Sequence, residues 1–206
     1  MRYDIKTMVI YGCRFVWWLL NHRRFAKLGL KSYIHKPIRL TPSCIDCGRN
    51  VLIYKSARIE GVFRHNASVY SPKIKFEDNV SIQQNLHLTC ADSIIIGSNT
   101  AIASNVTITD IHHSYLNIDI PIEQQDLVVK SVTIGQSCKI YNNVVVLPGC
   151  NIGNHVTLAA NSVVTKDIPS YSVAVGAPAK VVKRYNFDTL TWEKTNSDGS
   201  FLNTSQ

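Results

Sequence analysis

Residues 132–164 read VTIGQSCKIYNNVVVLPGCNIGNHVTLAANSVV, and within them a bulky aliphatic residue returns every six positions: Ile134, Ile140, Val146, Ile152, Leu158 and Val164. Four residues beyond each stands a small or branched residue: Cys138, Val144, Cys150, Val156 and Ser162. A helix repeats at 3.6 residues and a simple strand at 2, so a period of six fits neither. It fits short strands joined by tight turns, three to a triangular coil, with each coil burying its apolar side only against its neighbours. The sequence therefore predicts an all-β repeat, a parallel β-helix.

The same period extends outward in both directions. Upstream run Ile96, Ile102, Ile108 and, before them, Phe76, Ile82, Leu88, with weaker hexads from Cys47 through Ile53 and Ile59. Residues 60–75 break the phase, a slip occurs at Ala91-Asp92, and the gap from Ile108 to Ile134 requires an external loop over about 110–130. Gly97, Gly135 and Gly153 directly follow inward residues, while Asn99, Asn105, Asn143 and Asn154 fall at turns, where asparagine tolerates positive φ. The period divides the chain into a basic helical extension (1–44), the β-helix (45–182), and a C-terminal helix within Tyr185–Lys194 followed by a flexible tail (183–206). The two ends are expected to cap the exposed polar ladders of the terminal coils.

Composition narrows the partners. The chain of 206 residues carries a formal net charge of +8, concentrated in residues 1–60, which hold 12 Lys/Arg against 3 acids; the remainder holds 10 against 11. A neutral repeat body argues against nucleic acid and places any anionic partner near the N-terminus. The run MVIYGCRFVWWLL (8–20) is too short to span a bilayer and is interrupted by Arg14. It is followed by His22-Arg23-Arg24 and Lys27 rather than a cleavage site. Trp17 and Trp18 beside basic residues suit a helix in residues 1–30 lying at a membrane interface, or one packed on the coil or a neighbouring subunit. Cys138 and Cys150 are inward core residues, and Cys44-x-x-Cys47 is a lone pair without a second at zinc spacing, so all six cysteines are read as reduced thiols in a cytoplasmic protein.

Four ordered segments carry a resemblance: ITDIHHSY (108–115), DIPIEQQDL (119–127), VTIGQSCKIYNNVVVLPGCNIG (132–153) and AANSVVTKDIPSYSVAVGAPAKVV (159–182). Together they resemble the hexapeptide-repeat acetyltransferases, in the sugar and polysaccharide O-acetyltransferase branch, alongside the galactoside and maltose acetyltransferases. The resemblance implies a left-handed winding, a homotrimer, and acetyl-CoA and acceptor bound in clefts between subunits. It puts the general base at His113, where relatives often read Asp-His-x-His and this chain has Asp110-Ile111-His112-His113. Imidazole titrates near neutrality and suits proton removal from a hydroxyl.

Asp110 would fix the imidazole, bind the acceptor or simply form a turn. The resemblance puts Gln83 and Asn85 one coil before His113, toward the acceptor, although Asn85 also fits a turn. Lys139 and Tyr141 replace the usual Trp and Gly of a V-W-I-G segment; Lys139 is either a cation that favours an acidic sugar or an ordinary surface lysine. Contacts to CoA are implied near Asn142 and Ala160, at Thr165 and Lys166, and at Lys180, Lys183 and Arg184 after Gly176-Ala177-Pro178-Ala179. The expected activity is acetyl-CoA-dependent O-acetylation of a polysaccharide of O-antigen or capsule type, or of its lipid-linked precursor, in the cytoplasm or peripherally at the inner membrane face. The alternatives are an amino-sugar N-acetyltransferase and an antibiotic acetyltransferase of the same fold. A zinc enzyme of the same fold would draw on His87, His112, His113 and His155, but the adjacent pair lacks the usual separated spacing, so no metal is expected. A non-catalytic scaffold would differ from all of these in releasing no CoA.

Overall fold

The computed structural model describes residues 5–196 and 199–202, with side chains from Gly12 onward. After one helix (Ile5–Asn21) the chain visits three sheets in fixed rotation, six times over. Two sheets have six strands and the third nine, and every pairing between successive coils is parallel with aligned register. Strands of two to four residues suffice because each backbone group bonds to the coil above or below, as in Gln83 N–H to Ile102 O at 2.9 Å and Ala103 N–H to Ile140 O at 2.8 Å. This is the parallel β-helix that the period of six predicts.

The inward residues form three continuous stacks. The first face stacks Leu28, Cys47, Phe76, Ile96, Ile134 and Ile152. The second stacks Ile34, Ile53, Ile82, Ile102, Ile140 and Leu158. The third stacks Leu40, Ile59, Leu88, Ile108, Val146 and Val164. Nearly all are fully buried, and Val51, Val80, Val106, Val144 and Val156 fill the corners between faces. Two of the corners need special chemistry. Asn85, Asn105, Asn143 and Asn161 all adopt positive φ and link side chain to side chain up one edge at 2.9–3.1 Å. At another corner a Cβ on Gly97 would fall 2.5 Å from Gln136 N, so only glycine permits the coils to close. Asn154 departs from the expectation: His155 takes the positive φ, and the Asn154 side chain accepts the Gln136 N–H at 3.0 Å.

Three boundaries differ from the sequence reading. The helical extension ends at Asn21, and Lys27–Leu28 already pairs with Asp46–Cys47, so the coil starts well before residue 45. Leu28, Ile34 and Leu40 do keep the six-residue period, but the next inward residue is Cys47, and that one-residue slip conceals the first coil. The C-terminal helix does not form. Lys180–Asn186 and Thr191–Lys194 instead make an antiparallel hairpin on Ser172–Val175, covering the open edge of the nine-stranded sheet. The described part of the tail is also ordered by a Thr195–Phe201 bridge, while residues 203–206 lie outside the described residues.

Two excursions leave the coil where the phase breaks, after the second and fourth coils. The first contains a small hairpin, Arg64–His65 with Ser68–Val69. The second pairs Ile111–His113 antiparallel with Leu127–Val129. Buried Gln125 ties the second together, its amide donating to Asn117 O at 2.8 Å and Ile120 O at 2.9 Å.

The stacks predict the cost of a cavity. Ile102→Ala, in the middle of the second stack, is expected to lower unfolding free energy by about 2–5 kcal/mol in urea titration; a loss below about 1 kcal/mol would contradict the packing described.

Candidate active site

The third face turns outward two rows of polar side chains: Arg58, His87, Thr107 and, one step along, Glu60, Thr89, Thr109. They alternate with the buried Ile59, Leu88 and Ile108, so the period-2 pleat forces them to the surface. The two excursions rise over this floor and close it into a cleft of about 450 Å³, with Val62 and His65 from the first and Ile111, His113, Glu123 and Leu127 from the second. The excursions clasp each other. Asn66 Nδ2 donates to Glu123 O and Gln125 O at 3.3 Å each, Ser68 Oγ donates to Asp126 Oδ1 at 2.8 Å, and Leu127 N–H donates to Tyr70 Oη at 3.3 Å.

Alternation along Ile111–His113 sends neighbouring histidines to opposite sides. His113 lines the cleft, while His112 lines a separate pocket of about 210 Å³ with Val128, Lys130, Leu147, Pro148 and Thr165. His113 Nδ1 is buried without a hydrogen-bond partner and lies 3.7 Å from Glu123 Oε2. His65 meets it edge-on, with ring centroids 5.4 Å apart and planes at 81°. His65 Nε2 is likewise buried and unpartnered.

The charges on the floor satisfy each other. Glu60 forms an ion pair with Arg39, Nε to Oε1 at 2.6 Å, and accepts from both the Nε and Nη2 of Arg58. Desolvation, and then the charge of Arg58, pull the His87 imidazole below its ordinary pKa, against the opposing charge of Glu60.

The structure separates the residues that the sequence groups together. His113 stands in the cleft. Asp110 is fully buried and accepts the backbone N–H groups of Ala91 (2.8 Å), Asp92 (2.8 Å) and Ser93 (2.9 Å) and the Cys90 thiol (3.3 Å). It therefore forms a corner and touches neither His113 nor the cleft, which corrects the imidazole and acceptor roles. Burial, then the Asp110 charge, push the Cys90 thiol well above its usual pKa. Asn85 belongs to the asparagine ladder, with positive φ and its amide bound to Asn105. Gln83 sits at the end of its second-face strand and does not line the cleft. Lys139 and Tyr141 also lie on the second face, the ammonium 5.4 Å over the tyrosine ring, so neither joins His113 within one chain.

Of the CoA candidates, Thr165 lines the His112 pocket, and Lys166 beside it is exposed. Asn142 and Ala160 are exposed at the corner between second and third faces, next to the asparagine ladder. Lys180 and Lys183 are exposed on the C-terminal hairpin. Arg184 is tied to the tail through Gly199 O at 3.2 Å and the Phe201 ring at 5.8 Å. Sequence reasoning misses His65, Glu123 and the threonines; the phase break over 60–75 is the only available sign that His65 leaves the coil. Among the described residues no group of three or more His, Cys, Asp or Glu is placed to hold a metal.

A stacked coil of hexads, with the imidazoles of His65, His87 and His113 in a roofed side cleft, is the architecture of a hexapeptide-repeat protein. Residues 131–166 match the family described as bacterial transferase hexapeptide (six repeats). Over 128 residues the chain is 44% identical to a protein of Escherichia coli (strain K12) provisionally named lipopolysaccharide biosynthesis O-acetyl transferase WbbJ, covering 59% of this chain and 65% of that one. Over 186 residues it is 31% identical to a protein of Mycobacterium tuberculosis provisionally named an acetyltransferase, covering 86% of this chain and 60% of that one. The chain thus spans less than two thirds of either relative. The crystal structure of AntD, an N-acyltransferase from Bacillus cereus in complex with dTDP and 3-hydroxybutyryl-CoA, superposes with a TM-score of 0.68 over 83% of this chain and 89% of that one, at 18% identity, a likeness of fold. The chain thus carries the bacterial transferase hexapeptide repeat over residues 131–166 and is similar, along much of its length, to proteins named as acetyltransferases.

Removing the Asp110 carboxylate strands several buried N–H groups. Asp110→Ala is expected to cost about 2–4 kcal/mol of stability by denaturant titration, since each stranded donor costs about 1–3 kcal/mol. An unchanged midpoint would refute the corner role.

Proposed function

We propose that this chain transfers an acetyl group from acetyl-CoA to a hydroxyl of a glycan, a polysaccharide of O-antigen or capsule type or its lipid-linked precursor. The observation that carries the reading is His113, held in a polar cleft with Nδ1 turned toward Glu123. A proton on Nδ1 directed at that carboxylate leaves the Nε2 lone pair free to act as base. Nε2 takes the proton as the acceptor oxygen attacks the thioester carbonyl. Collapse of the tetrahedral adduct breaks the carbon–sulfur bond, and the imidazolium returns the proton to the departing CoA sulfur. Glu123 is a positioning residue in this scheme. The acceptor lies on the third-face floor, and the CoA arm runs past the upper coils by way of Asn142, Ala160, Thr165 and Lys166. Lys180 and Lys183 are the cations for its phosphates. Arg184, engaged with the tail, holds the hairpin that carries them. The name of the E. coli relative supports a cell-surface glycan as acceptor.

The family resemblance supports a left-handed coil and a homotrimer. Leu116 and Ile118, at 82% and 94% exposure on the second excursion, would be covered by a neighbouring subunit. The N-terminal segment would rest on an anionic inner membrane face. No described helix is long and apolar enough to cross a bilayer. Trp17 packs inward on Phe25 and Tyr33 and Trp18 donates to Leu28 O at 3.0 Å, so the side left for a membrane would be Phe15, Val16, Leu19 and Leu20 with exposed Arg23 and Arg24.

A CoA-release screen over free and lipid-linked glycans, with products identified by mass spectrometry, tests the activity. His113→Ala should lower kcat about 10²–10⁴-fold with acetyl-CoA binding retained; retention of more than a few percent of turnover, or transfer to amines alone, would defeat the O-acetyl reading. For the membrane contact, Leu19→Asp/Leu20→Asp should abolish flotation with phosphatidylserine vesicles. Equal flotation of variant and wild type, or none by the wild type, would overturn it.

A further inference from the structure

His65 has no part in the coil, yet the fold spends an entire excursion placing it. Arg64–His65 and Ser68–Val69 form a hairpin that departs from the second coil, and its turn residue Asn66 adopts positive φ with its amide shared between Glu123 O and Gln125 O. The segment that positions His65 thus also braces the backbone of the residue facing His113. The two imidazoles stand at right angles, 5.4 Å apart, on one side of the same cleft. His65 Nε2 is buried and bonds to nothing in the protein. A buried polar nitrogen without a partner costs free energy unless a ligand supplies one.

The chemistry around it selects the ligand. Arg58 is committed to Glu60, which also binds Arg39, so the floor offers an incoming anion no uncommitted guanidinium. Lys139 lies on a different face. What remains is hydroxyl and imidazole: the Thr89, Thr107 and Thr109 side chains and the rings of His65 and His87. Groups that both donate and accept match sugar hydroxyls, whereas a carboxylate moved into this cleft would lose water without gaining a counter-charge.

We propose that His65 is an acceptor-binding residue of a subsite for a neutral polyhydroxylated sugar ring, its Nε2 bonding a hydroxyl next to the one presented to His113. This rests on the acyl-transfer reading and specifies its substrate class. It also replaces the acidic-sugar preference that Lys139 suggested.

The test uses the whole chain with methyl hexopyranosides and methyl glucuronide as acceptors and acetyl-CoA as donor. His65→Ala should raise the KM for the neutral glycosides about 10–100-fold, the range expected on losing one buried hydrogen bond. It should leave the KM for acetyl-CoA unchanged, and His65→Gln should recover most of the loss. Saturation-transfer NMR reads glycoside binding without turnover and should show the same loss. A KM within twofold of wild type, an equal rise in the KM for acetyl-CoA, or preference for the glucuronide would overturn the assignment. If wild-type enzyme transfers acetyl to no hydroxyl acceptor but binds the hexosides through His65, the acyl-transfer reading fails and the subsite stands. If it transfers acetyl without needing His65, the subsite fails alone.

Discussion

The constraint on which everything else depends is register between coils. Each strand of the coil is only two to four residues long, too short to hold its position alone, so alignment comes from apolar side chains stacked above their counterparts and from backbone bonds running between coils. A slip of one residue would turn a whole stack outward. Asparagine ladders and close-approach glycines make the corners as demanding as the faces. Such a body is stiff and featureless along its length, and stiffness is what a site needs from its foundation.

Chemistry enters where the repeat is interrupted. Both excursions depart after a third-face strand, one from the second coil and one from the fourth, and they arch over the same patch of that face. Neither closes the cleft alone. Their mutual hydrogen bonds through Asn66, Ser68 and Tyr70 make the roof one unit, and Asp110 anchors its base by capping the corner at Ala91–Ser93. The result is a preorganised imidazole pair, supported by loops that bind one another rather than by loops free to move.

Periodicity makes most of the coil legible in the sequence. The inward set from Phe76 to Val164, the core positions of Cys138 and Cys150, and the turn role of Asn99, Asn105 and Asn143 all follow from spacing. Where the phase slips, legibility ends. The seven-residue step from Leu40 to Cys47 hides the first coil. The C-terminal segment suggests a helix when its own pattern is taken alone, because nothing local to it reveals the unpaired sheet edge that recruits it as a hairpin. For the site, the family resemblance singles out His113, but hexad phase reports only inward or outward, not which face an excursion covers. That is why positions carried over from the resemblance include Lys139 and Asn85, which do not line this cleft within one chain, and leave out His65 and Glu123.

The central claim is that the thioester and the acceptor meet at His113 on the third face. A crystal structure of the protein soaked with CoA tests it most directly. The account predicts the CoA sulfur beside the His113 imidazole, at roughly 3–4 Å from it, the range of a near-attack geometry. A sulfur resting on another face, or a thiol arm that never reaches the clasp between the two excursions, would contradict it.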